Sequence, residues 1–421
     1  MIPAPTSGDL RVLAARVTRL RLALRQPLRT PGGFLHHREV RLLSIEREDG
    51  FVGLGEASVV DWLGGPAPAG GDDALDLLAR RIASDRPRAS TLLAESFDQR
   101  LPGAVRSALQ TSLLDAEARS HGLPLSQLLG ANTEAPLPVS ALLAARDPDE
   151  LADEATKLAA RGFRCFKVKV GFEADEDLRR LRALRHAVGD GASLRLDANG
   201  AWDFAEATAR LRELHGIAPD FIEEPLRDQP DRLTHSRELR ALTRVALDET
   251  IRNGSDLAAA IEARAADVLV LKLERVGGPL PALALARRAF EAGLRVVFTD
   301  SIESGVGRAA TGHTAVAASS LSGRTAAKST ADETAACSTA GETSANSTPD
   351  RSAAHPGPGA SAAKQRPEAG SPHGGSGEAL GLGGFFLLDE EANVGPWWKP
   401  EGPGLGVDDN TDRPAAPEIG A

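Results

Sequence analysis

The beginning of the chain alternates between apolar and polar positions, as half-exposed antiparallel strands do. Between Leu20 and Arg25 every second residue is leucine, whereas arginine and alanine occupy the opposite face. Asp49-Gly50 is a hairpin turn signal that precedes another short apolar run. The elements predicted here are strands at 20–25, 40–46 and 51–56 and helices at 72–84 and 103–120. Residues 1–131 are therefore predicted to form an α+β domain.

From about residue 137 the pattern changes to short apolar runs that alternate with amphipathic helical segments. The predicted strands are Leu137–Leu143, Cys165–Val170, Leu194–Asp197, Phe221–Glu223, Val245–Asp248, Val268–Lys272 and Val296–Thr299. The predicted helices between them are 149–161, 175–188, 203–215, 255–264 and 281–292. Repeated strand–helix units indicate a parallel sheet, and seven in succession favour a (β/α) barrel over an open sheet. We assign this barrel to residues 136–321.

A different composition interrupts the barrel pattern near its end. Residues 322–379 contain no Val, Ile, Leu, Met, Phe or Trp, and Ala, Ser, Thr, Gly and Pro dominate. Such a segment cannot bury enough apolar surface to offset its ordering entropy, so we predict a disordered insertion. Apolar residues resume at Leu380, and Trp397-Trp398 indicates a segment that packs back onto the body of the protein. Residues 380–421 are interpreted as the last barrel strand and this returning segment.

Composition and charge exclude several classes of protein. The 421 residues carry a formal net charge of −10, which argues against binding to nucleic acid. Two cysteines make no disulfide framework and fit a reducing compartment. No apolar run reaches the roughly 20 residues of a membrane span, and the first residues do not resemble a signal peptide. We therefore expect a cytoplasmic protein with a small-molecule partner, and its oligomeric state stays open.

Lysine is rare and concentrated on predicted strands. Of 49 basic residues seven are lysine, and Lys167, Lys169 and Lys272 lie in apolar strand patterns. Lys167 and Lys169 are two residues apart, so their side chains point the same way. Mutual repulsion and burial both lower a lysine pKa, which leaves an amine able to act as a base. A pair of edge-strand lysines that reach solvent is the simpler alternative.

Three acids also stand at the ends of successive predicted strands. Asp197, Glu223 and Asp248 each follow an apolar run, and the C-terminal strand ends of a barrel carry its catalytic groups. Three adjacent carboxylates repel one another unless a cation lies among them, and oxygen ligands select Mg²⁺ or Mn²⁺. Taken singly, each acid could instead cap a turn or helix or end an exposed strand. Together with the lysines, they suit the removal of a proton next to a metal-bound carboxylate.

These motifs resemble the enolase superfamily, in its muconate lactonizing enzyme subgroup. The matching motifs are Lys167-Val168-Lys169, Asp197-Ala198-Asn199, Glu223-Glu224-Pro225, Asp248-Glu249 and Lys272. The resemblance implies a modified (β/α)7β TIM-type barrel with an N-terminal α+β capping domain, to which the C-terminal segment returns. It implies Mg²⁺ on Asp197, Glu223 and Asp248. It also implies Lys169 as the acid/base group, Lys167 as the residue that tunes it, and Lys272 on the other side of the substrate.

Within the subgroup, three stretches are most similar to the o-succinylbenzoate synthase family. They are Gly53–Ser58, Asp300–Gly307 and Gly381–Phe386. This similarity implies a Mg²⁺-dependent lyase of menaquinone biosynthesis, which dehydrates 2-succinyl-6-hydroxy-2,4-cyclohexadiene-1-carboxylate to o-succinylbenzoate. Ser301, Ser304 and Asn199 are then expected to bind the carboxylate substrate.

Other functions stay open on the same residues. Dipeptide epimerases and N-succinylamino acid racemases would use Lys169 and Lys272 as opposed bases. Epimerases commonly carry Asp-x-Asp near the last strand, and the stretch Thr299–Ile302 has no second Asp. Muconate cycloisomerisation is a further alternative. A non-catalytic scaffold that binds a partner through residues 322–379 is the alternative from a different class. The loops at 26–37 and 56–66 are expected to set specificity.

Overall fold

The fold consists of an antiparallel sheet with helices and a curled parallel sheet with helices. The computed structural model describes residues 9–30, 33–58, 71–132, 136–338, 397–398 and 402–405. Both sheets lie in one compact unit, Met1–Ser322 with Gly377–Ala421. The second unit, Gly323–Ser376, is described only as far as a helix that ends at Ser338. The rest of the predicted insertion and the predicted strand at 380–388 lie outside the described residues.

The N-terminal part is a three-stranded antiparallel sheet covered by helices. Its elements are β1 Val12–Thr30, β2 Gly33–Arg47, β3 Val52–Ala57, α1 Gly71–Asp85, α2 Ala89–Glu95, α3 Gly103–Ser120 and α4 Leu125–Leu128. The strand order is β1-β2-β3. Leu43 and Ile45 of β2 meet Leu75 and Ile82 of α1 in one apolar cluster. The predicted strands and helices are present, with β1 and β2 longer than predicted and the short helices α2 and α4 additional.

Two glycines of β3 let this strand lie directly against α3. A Cβ atom on Gly53 would stand 2.0 Å from the Ser112 carbonyl oxygen, and one on Gly55 would stand 2.0 Å from that of Ala108. Both obstacles are backbone atoms, which cannot turn aside as a flexible side chain can. Glycine is therefore required at both positions for the close approach of strand and helix.

Replacing Gly55 with alanine is expected to destabilise the protein by about 1–3 kcal/mol or more, because the added methyl group overpacks a backbone contact. Gly216→Ala is the matched control, since a Cβ atom there meets nothing within 4 Å. Urea unfolding of both variants measures the difference. Equal stability of the two variants would show that β3 moves away from α3 without cost.

The second part alternates strands and helices around a parallel sheet. Its elements are β4 Leu137–Pro138, β5 Ala141–Leu143, α5 Pro148–Ala160, β6 Cys165–Lys169, α6 Ala174–Val188, β7 Ser193–Asp197, α7 Phe204–Glu213, a 3-10 turn Leu214–Ile217, β8 Phe221–Glu223, α8 Arg232–Leu239, β9 Val245–Leu247, α9 Gly254–Glu262, β10 Val268–Leu271, α10 Leu273–Val276, α11 Pro279–Glu291, β11 Arg295–Phe298, α12 Gly305–Ser338 and β12 Trp397–Trp398. The strands β5 to β11 are neighbours in chain order. The described residues thus contain seven parallel strands of the predicted barrel, and the predicted fold class is confirmed.

Several of the barrel helices begin at a side-chain cap. Asp147 accepts hydrogen bonds from the first amides of α5, Asp203 from α7 and Asn253 from α9. Pro148 occupies the first turn of α5, where its missing N–H leaves no bond unmade. These caps satisfy orphan amides and fix where each helix starts after its strand.

The predicted strand Leu137–Leu143 is two strands with different partners. Leu137 and Pro138 pair with Trp398 and Trp397 in an antiparallel ladder, whereas β5 begins at Ala141 and joins the parallel sheet. Proline has no N–H to donate, so Pro138 suits a short ladder outside the main sheet. Residues 137–143 are mostly apolar, so the sequence pattern does not show that the pairing partner changes within them.

The C-terminal residues 402–405 lie against α3 and α4. The Leu125 amide donates to the Gly404 carbonyl at 2.7 Å, and the Leu405 amide donates to Asp115 Oδ1 at 2.7 Å. Close by, the Ser126 amide donates to His313 Nδ1 of α12 at 3.2 Å. His313 therefore joins the antiparallel part, the last barrel helix and the C-terminal segment.

Acid is expected to weaken the fold through His313. Burial lowers the pKa of His313 to about 4, although a backbone hydrogen bond with Leu405 opposes this shift. The unfolded chain binds the proton at about pH 6.5 and the folded chain only at about pH 4, so stability is lost as the pH falls between these values. From pH 7 to pH 5 the expected loss is about 2 kcal/mol. Urea unfolding at both pH values measures it, and an equal loss in His313→Gln would contradict the assignment.

Candidate active site

Five charged side chains stand at the C-terminal edge of the parallel sheet. Lys169, Asp197 and Glu223 end β6, β7 and β8, and they are lateral neighbours in the strand register. Asp248 follows the last residue of β9, and Lys272 follows β10. Side chains alternate along a strand, so residues two positions apart share a face. The inner face of the curled sheet carries one apolar cluster, formed by Phe221, Ala246, Val268, Val270 and Val297. Glu223, Asp248 and Lys272 each lie two positions beyond a member of this cluster on the same strand, so their side chains share its face.

The two lysines of β6 are held by the acids of the next two strands. Lys167 Nζ donates to Glu223 Oε2 at 2.7 Å and lies 2.8 Å from Asp197 Oδ2. Lys169 Nζ donates to Asp197 Oδ2 at 2.7 Å and to Asn199 Oδ1. The Lys169 side chain is 31% exposed and that of Lys167 14% exposed, so Lys169 is the more open of the pair.

The third acid has two cationic partners from the next strand and the helix after it. Lys272 Nζ donates to Asp248 Oδ2 at 2.5 Å, and Arg275 donates to Asp248 Oδ1. Arg275 lies three residues beyond Lys272, which is nearly one turn of α10. Sequence reasoning missed Arg275, although its helical spacing from Lys272 was a usable signal.

The neighbouring carboxylates determine the charge of Lys167. Burial lowers the pKa of Lys167, but the carboxylates of Asp197, Glu223 and Asp248 outweigh burial and raise it. Lys167 is therefore a cation beside Lys169, and its role in tuning Lys169 stays a prediction. Burial raises the pKa of Asp197, and the charges of Lys167 and Lys169 reverse that effect and lower it.

The three acids suit a hard divalent cation in their chemistry. All offer buried carboxylate oxygens, which are the ligands that Mg²⁺ prefers. Burial and the charges of Asp197 and Asp248 raise the pKa of Glu223. A bound cation would therefore stabilise the ionised form of this carboxylate. Within the described ranges no three His, Cys, Asp or Glu side chains are grouped as a ready-made metal site. Here the ammonium of Lys167 bridges Asp197 and Glu223 instead.

The three residues expected to bind substrate have different surroundings. Asn199 accepts from Lys169 and donates to Glu249 Oε1 at 3.2 Å, so it borders the group of lysines and acids. Ser301 Oγ is buried and has no hydrogen-bond partner among the residues that the structure describes. The Ser304 hydroxyl donates to Glu56 of β3, so it is engaged in a contact between the two parts of the fold.

Glu56 joins the antiparallel part to the barrel. Its carboxylate accepts from the amides of Ser304 at 3.0 Å and Gly307 at 3.0 Å and from Ser58 Oγ at 2.7 Å. The Ser58 amide donates to Glu274 of α10. Sequence reasoning did not identify Glu56 or Glu274 as contacts between the two parts, because their partners lie more than 200 positions away.

Comparison with known proteins identifies the family. Residues 13–130 match the model of the mandelate racemase/muconate lactonizing enzyme N-terminal domain, and residues 150–346 match the enolase C-terminal domain-like model. The chain belongs to the enolase superfamily. Muconate cycloisomerase 1 of Pseudomonas putida is 30% identical to it over 284 residues, which are 65% of this chain and 74% of that enzyme.

Two further superfamily relatives act on, or were crystallised with, amino acid derivatives. N-succinyl-L-Arg/Lys racemase of Bacillus cereus is 28% identical over 73% of this chain and 84% of its own length. A dipeptide epimerase from Cytophaga hutchinsonii, whose crystal structure contains Mg and the dipeptide D-Ala-L-Val, matches with a TM-score of 0.66 and 26% identity. That match covers 73% of this chain and 84% of the epimerase. Among the described residues, no helix combines the length and apolar character that crossing a membrane requires.

Proposed function

We propose that this chain is a Mg²⁺-dependent racemase or epimerase that inverts the α-carbon of an N-acylated amino acid or a dipeptide. The supporting observation is the order of groups across the sheet. Lys169 on β6 and Lys272 after β10 enclose three intervening strands that carry Asp197, Glu223 and Asp248. In a curled sheet this order puts one lysine on each side of the acids.

Each residue has a distinct proposed role. Asp197, Glu223 and Asp248 would hold Mg²⁺, or Mn²⁺ in its place. Bound there, the ion would stabilise the negative charge that grows on the substrate carboxylate. Lys169 takes the α-proton from one face as a neutral amine, and Lys272 delivers a proton to the other face from its ammonium group. In the reverse direction the two lysines exchange these tasks.

Lys167 and Asn199 would position Lys169 and the acids. Lys167 stays charged and bridges two carboxylates, which fixes their side chains beside the proton-transfer lysine. Asn199 holds the Nζ atom of Lys169 through its amide oxygen. Ser301, with a buried hydroxyl that makes no hydrogen bond within the described structure, is the better placed serine to meet a polar substrate group.

Dehydration to o-succinylbenzoate has less support than racemisation or epimerisation. The relatives described above bear racemase, epimerase and cycloisomerase names. Gly53 and Gly55 pack β3 on α3, and Glu56 and Ser304 join the two parts of the fold. Two of the three stretches that carry the resemblance to o-succinylbenzoate synthases, Gly53–Ser58 and Asp300–Gly307, therefore have structural tasks that any substrate would require. The third, Gly381–Phe386, lies outside the described residues.

The missing second Asp at 299–302 no longer counts against an epimerase. These residues follow β11, which is the seventh strand of the parallel sheet and not the last. The last strand is predicted at 380–388, and Asp389, Glu390 and Glu391 follow it in the sequence. Acids that would hold a substrate amine are thus available in the sequence after that strand, which lies outside the described residues.

Proton exchange in ²H₂O tests the proposal. With Mg²⁺ present, NMR should show loss of the α-proton signal from N-succinyl amino acids or dipeptides, and polarimetry should show interconversion of the two configurations. Lys272→Met should abolish interconversion, whereas Lys157→Met, on the exposed face of α5, should not change it. Turnover of the o-succinylbenzoate precursor alone, followed by absorbance, would contradict the proposal in favour of the dehydratase. An active enzyme that ignores EDTA would contradict the metal assignment, and inactivity on all substrates would favour a scaffold.

A further inference from the structure

Glu224 follows the proposed metal ligand Glu223 but has a different environment. Glu224 lies just beyond the end of β8, and its carboxylate binds the loop that follows β9. The residue is buried, and its φ of +40° lies in the left-handed region. Few residues other than glycine adopt this conformation. Burial of a carboxylate also costs free energy unless hydrogen bonds or an opposite charge stabilise it.

The carboxylate of Glu224 binds the loop that carries Asp248. Its Oε2 atom accepts from the Asp248 amide at 2.8 Å and from the Thr250 amide at 3.2 Å. Its Oε1 atom accepts from the Thr250 hydroxyl and lies 3.5 Å from the guanidinium of Arg232. One side chain thus holds the backbone of the proposed third ligand at two points.

The backbone of Glu224 binds the other neighbouring strand connections. Its carbonyl accepts from the Gly200 amide at 2.6 Å, in the loop that follows Asp197. Its amide donates to the Ala246 carbonyl at 2.9 Å, two residues before Asp248. Glu224 therefore contacts the segments that carry Asp197 and Asp248 and is bonded covalently to Glu223.

We propose that Glu224 is a positioning residue that sets the spacing of the three carboxylates and thereby the affinity for the divalent ion. This inference rests on the metal site in the proposed function. Groups that orient metal ligands commonly change metal affinity by about 10- to 100-fold when they are removed. The hydrogen bonds to the 248–250 loop, and not the charge of Glu224, carry this effect.

Three substitutions separate hydrogen bonding from charge. Glu224→Gln can keep its carbonyl on the two amides and donate to the Thr250 hydroxyl, which rotates to accept. Glu224→Asp suits the left-handed backbone, since Asp adopts it more readily than most residues, but its shorter side chain cannot reach both amides. Glu224→Ala removes all three hydrogen bonds. Asp220→Asn is the control, because Asp220 pairs with Arg295 near the opposite end of β8.

Binding of Mn²⁺ alone, followed by electron paramagnetic resonance of the free ion, provides the test, with the melting temperature of each protein measured alongside. We expect affinity within about threefold of wild type for Glu224→Gln and a loss of about 10- to 100-fold for Glu224→Asp and Glu224→Ala. Asp220→Asn should melt earlier and bind Mn²⁺ as wild type does. Glu224→Asp keeps the test decisive if Glu224→Ala does not fold.

The results distinguish this inference from the proposed function. Wild-type protein that binds no Mn²⁺ would overturn the metal site and the inference with it. Wild-type binding together with unchanged affinity in Glu224→Asp would overturn the positioning role alone. A loss in Glu224→Gln as large as that in Glu224→Asp would overturn the hydrogen-bonding account, and a similar loss in Asp220→Asn would reduce the effect to general instability.

Discussion

Replacing Lys169 with arginine is expected to lower kcat by about 100- to 10,000-fold, the range that general acid–base catalysis contributes. Arginine keeps the positive charge beside Asp197, but a guanidinium does not release its proton in a protein. The change therefore removes basicity while retaining the ion pair that Lys169 makes with Asp197 at 2.7 Å. Steady-state racemisation or epimerisation rates measure the loss.

Folding and metal binding should survive this substitution, which separates it from a structural defect. Lys157→Arg is the matched control, because Lys157 is exposed on α5 and does not belong to the group of lysines and acids at the strand ends. We expect wild-type rates for the control and an unchanged melting temperature for both variants. Residual turnover of Lys169→Arg above a tenth of wild type would rule out Lys169 as the base.

Replacing Asp248 with asparagine is expected to weaken Mg²⁺ binding by about 100-fold or more, since a charged oxygen ligand becomes neutral. The loss is amplified because Lys272 and Arg275 both bind Asp248. Without its charge these two cations remain close to the site and repel an incoming ion. Calorimetric titration with Mg²⁺ measures the change, and kcat/KM should fall with it.

Asp153→Asn is the control for the loss of one negative charge, since Asp153 is exposed on α5. It should bind Mg²⁺ as wild type does. Activity of the wild type should disappear with EDTA and return with Mg²⁺, whereas Asp248→Asn should need a much higher Mg²⁺ concentration. Unchanged affinity in Asp248→Asn would remove Asp248 from the metal site.

The sequence predicted the barrel and the membership of the candidate site because both follow from local patterns. Each barrel strand was a short apolar run, and the polar residue at its end had to meet its neighbours at one edge of a parallel sheet. The environment of Lys167 could not be predicted in this way. Its ion pair with Glu223 joins residues 56 positions apart, and only the register of β6, β7 and β8 brings them within 2.7 Å.

Two of the stretches behind the preference for an o-succinylbenzoate synthase contain residues that pack β3 on α3 or join the two parts of the fold. A sequence shows that Glu56 and Ser304 are present but does not show that each is the other's partner. The predicted bounds of the strand Leu137–Leu143 were wrong for a related reason. Pro138 pairs with Trp397, which lies near the other end of the chain. Long-range contacts of this kind separate structural residues from substrate-binding residues, and a single sequence does not contain them.

The contact of Glu56 with the start of α12 has a consequence for how new specificities could arise in this fold. Glu56 and Ser58 are fixed to the barrel through Ser304, Gly307 and Glu274. The residues after Ser58, within the stretch expected to set specificity, therefore start from an anchored stem. Because the anchoring contacts are made by Glu56 and Ser58 themselves, substitutions after Ser58 leave these contacts in place. The attachment of the antiparallel part to the barrel is thus separate in the sequence from the rest of the stretch that is expected to set specificity.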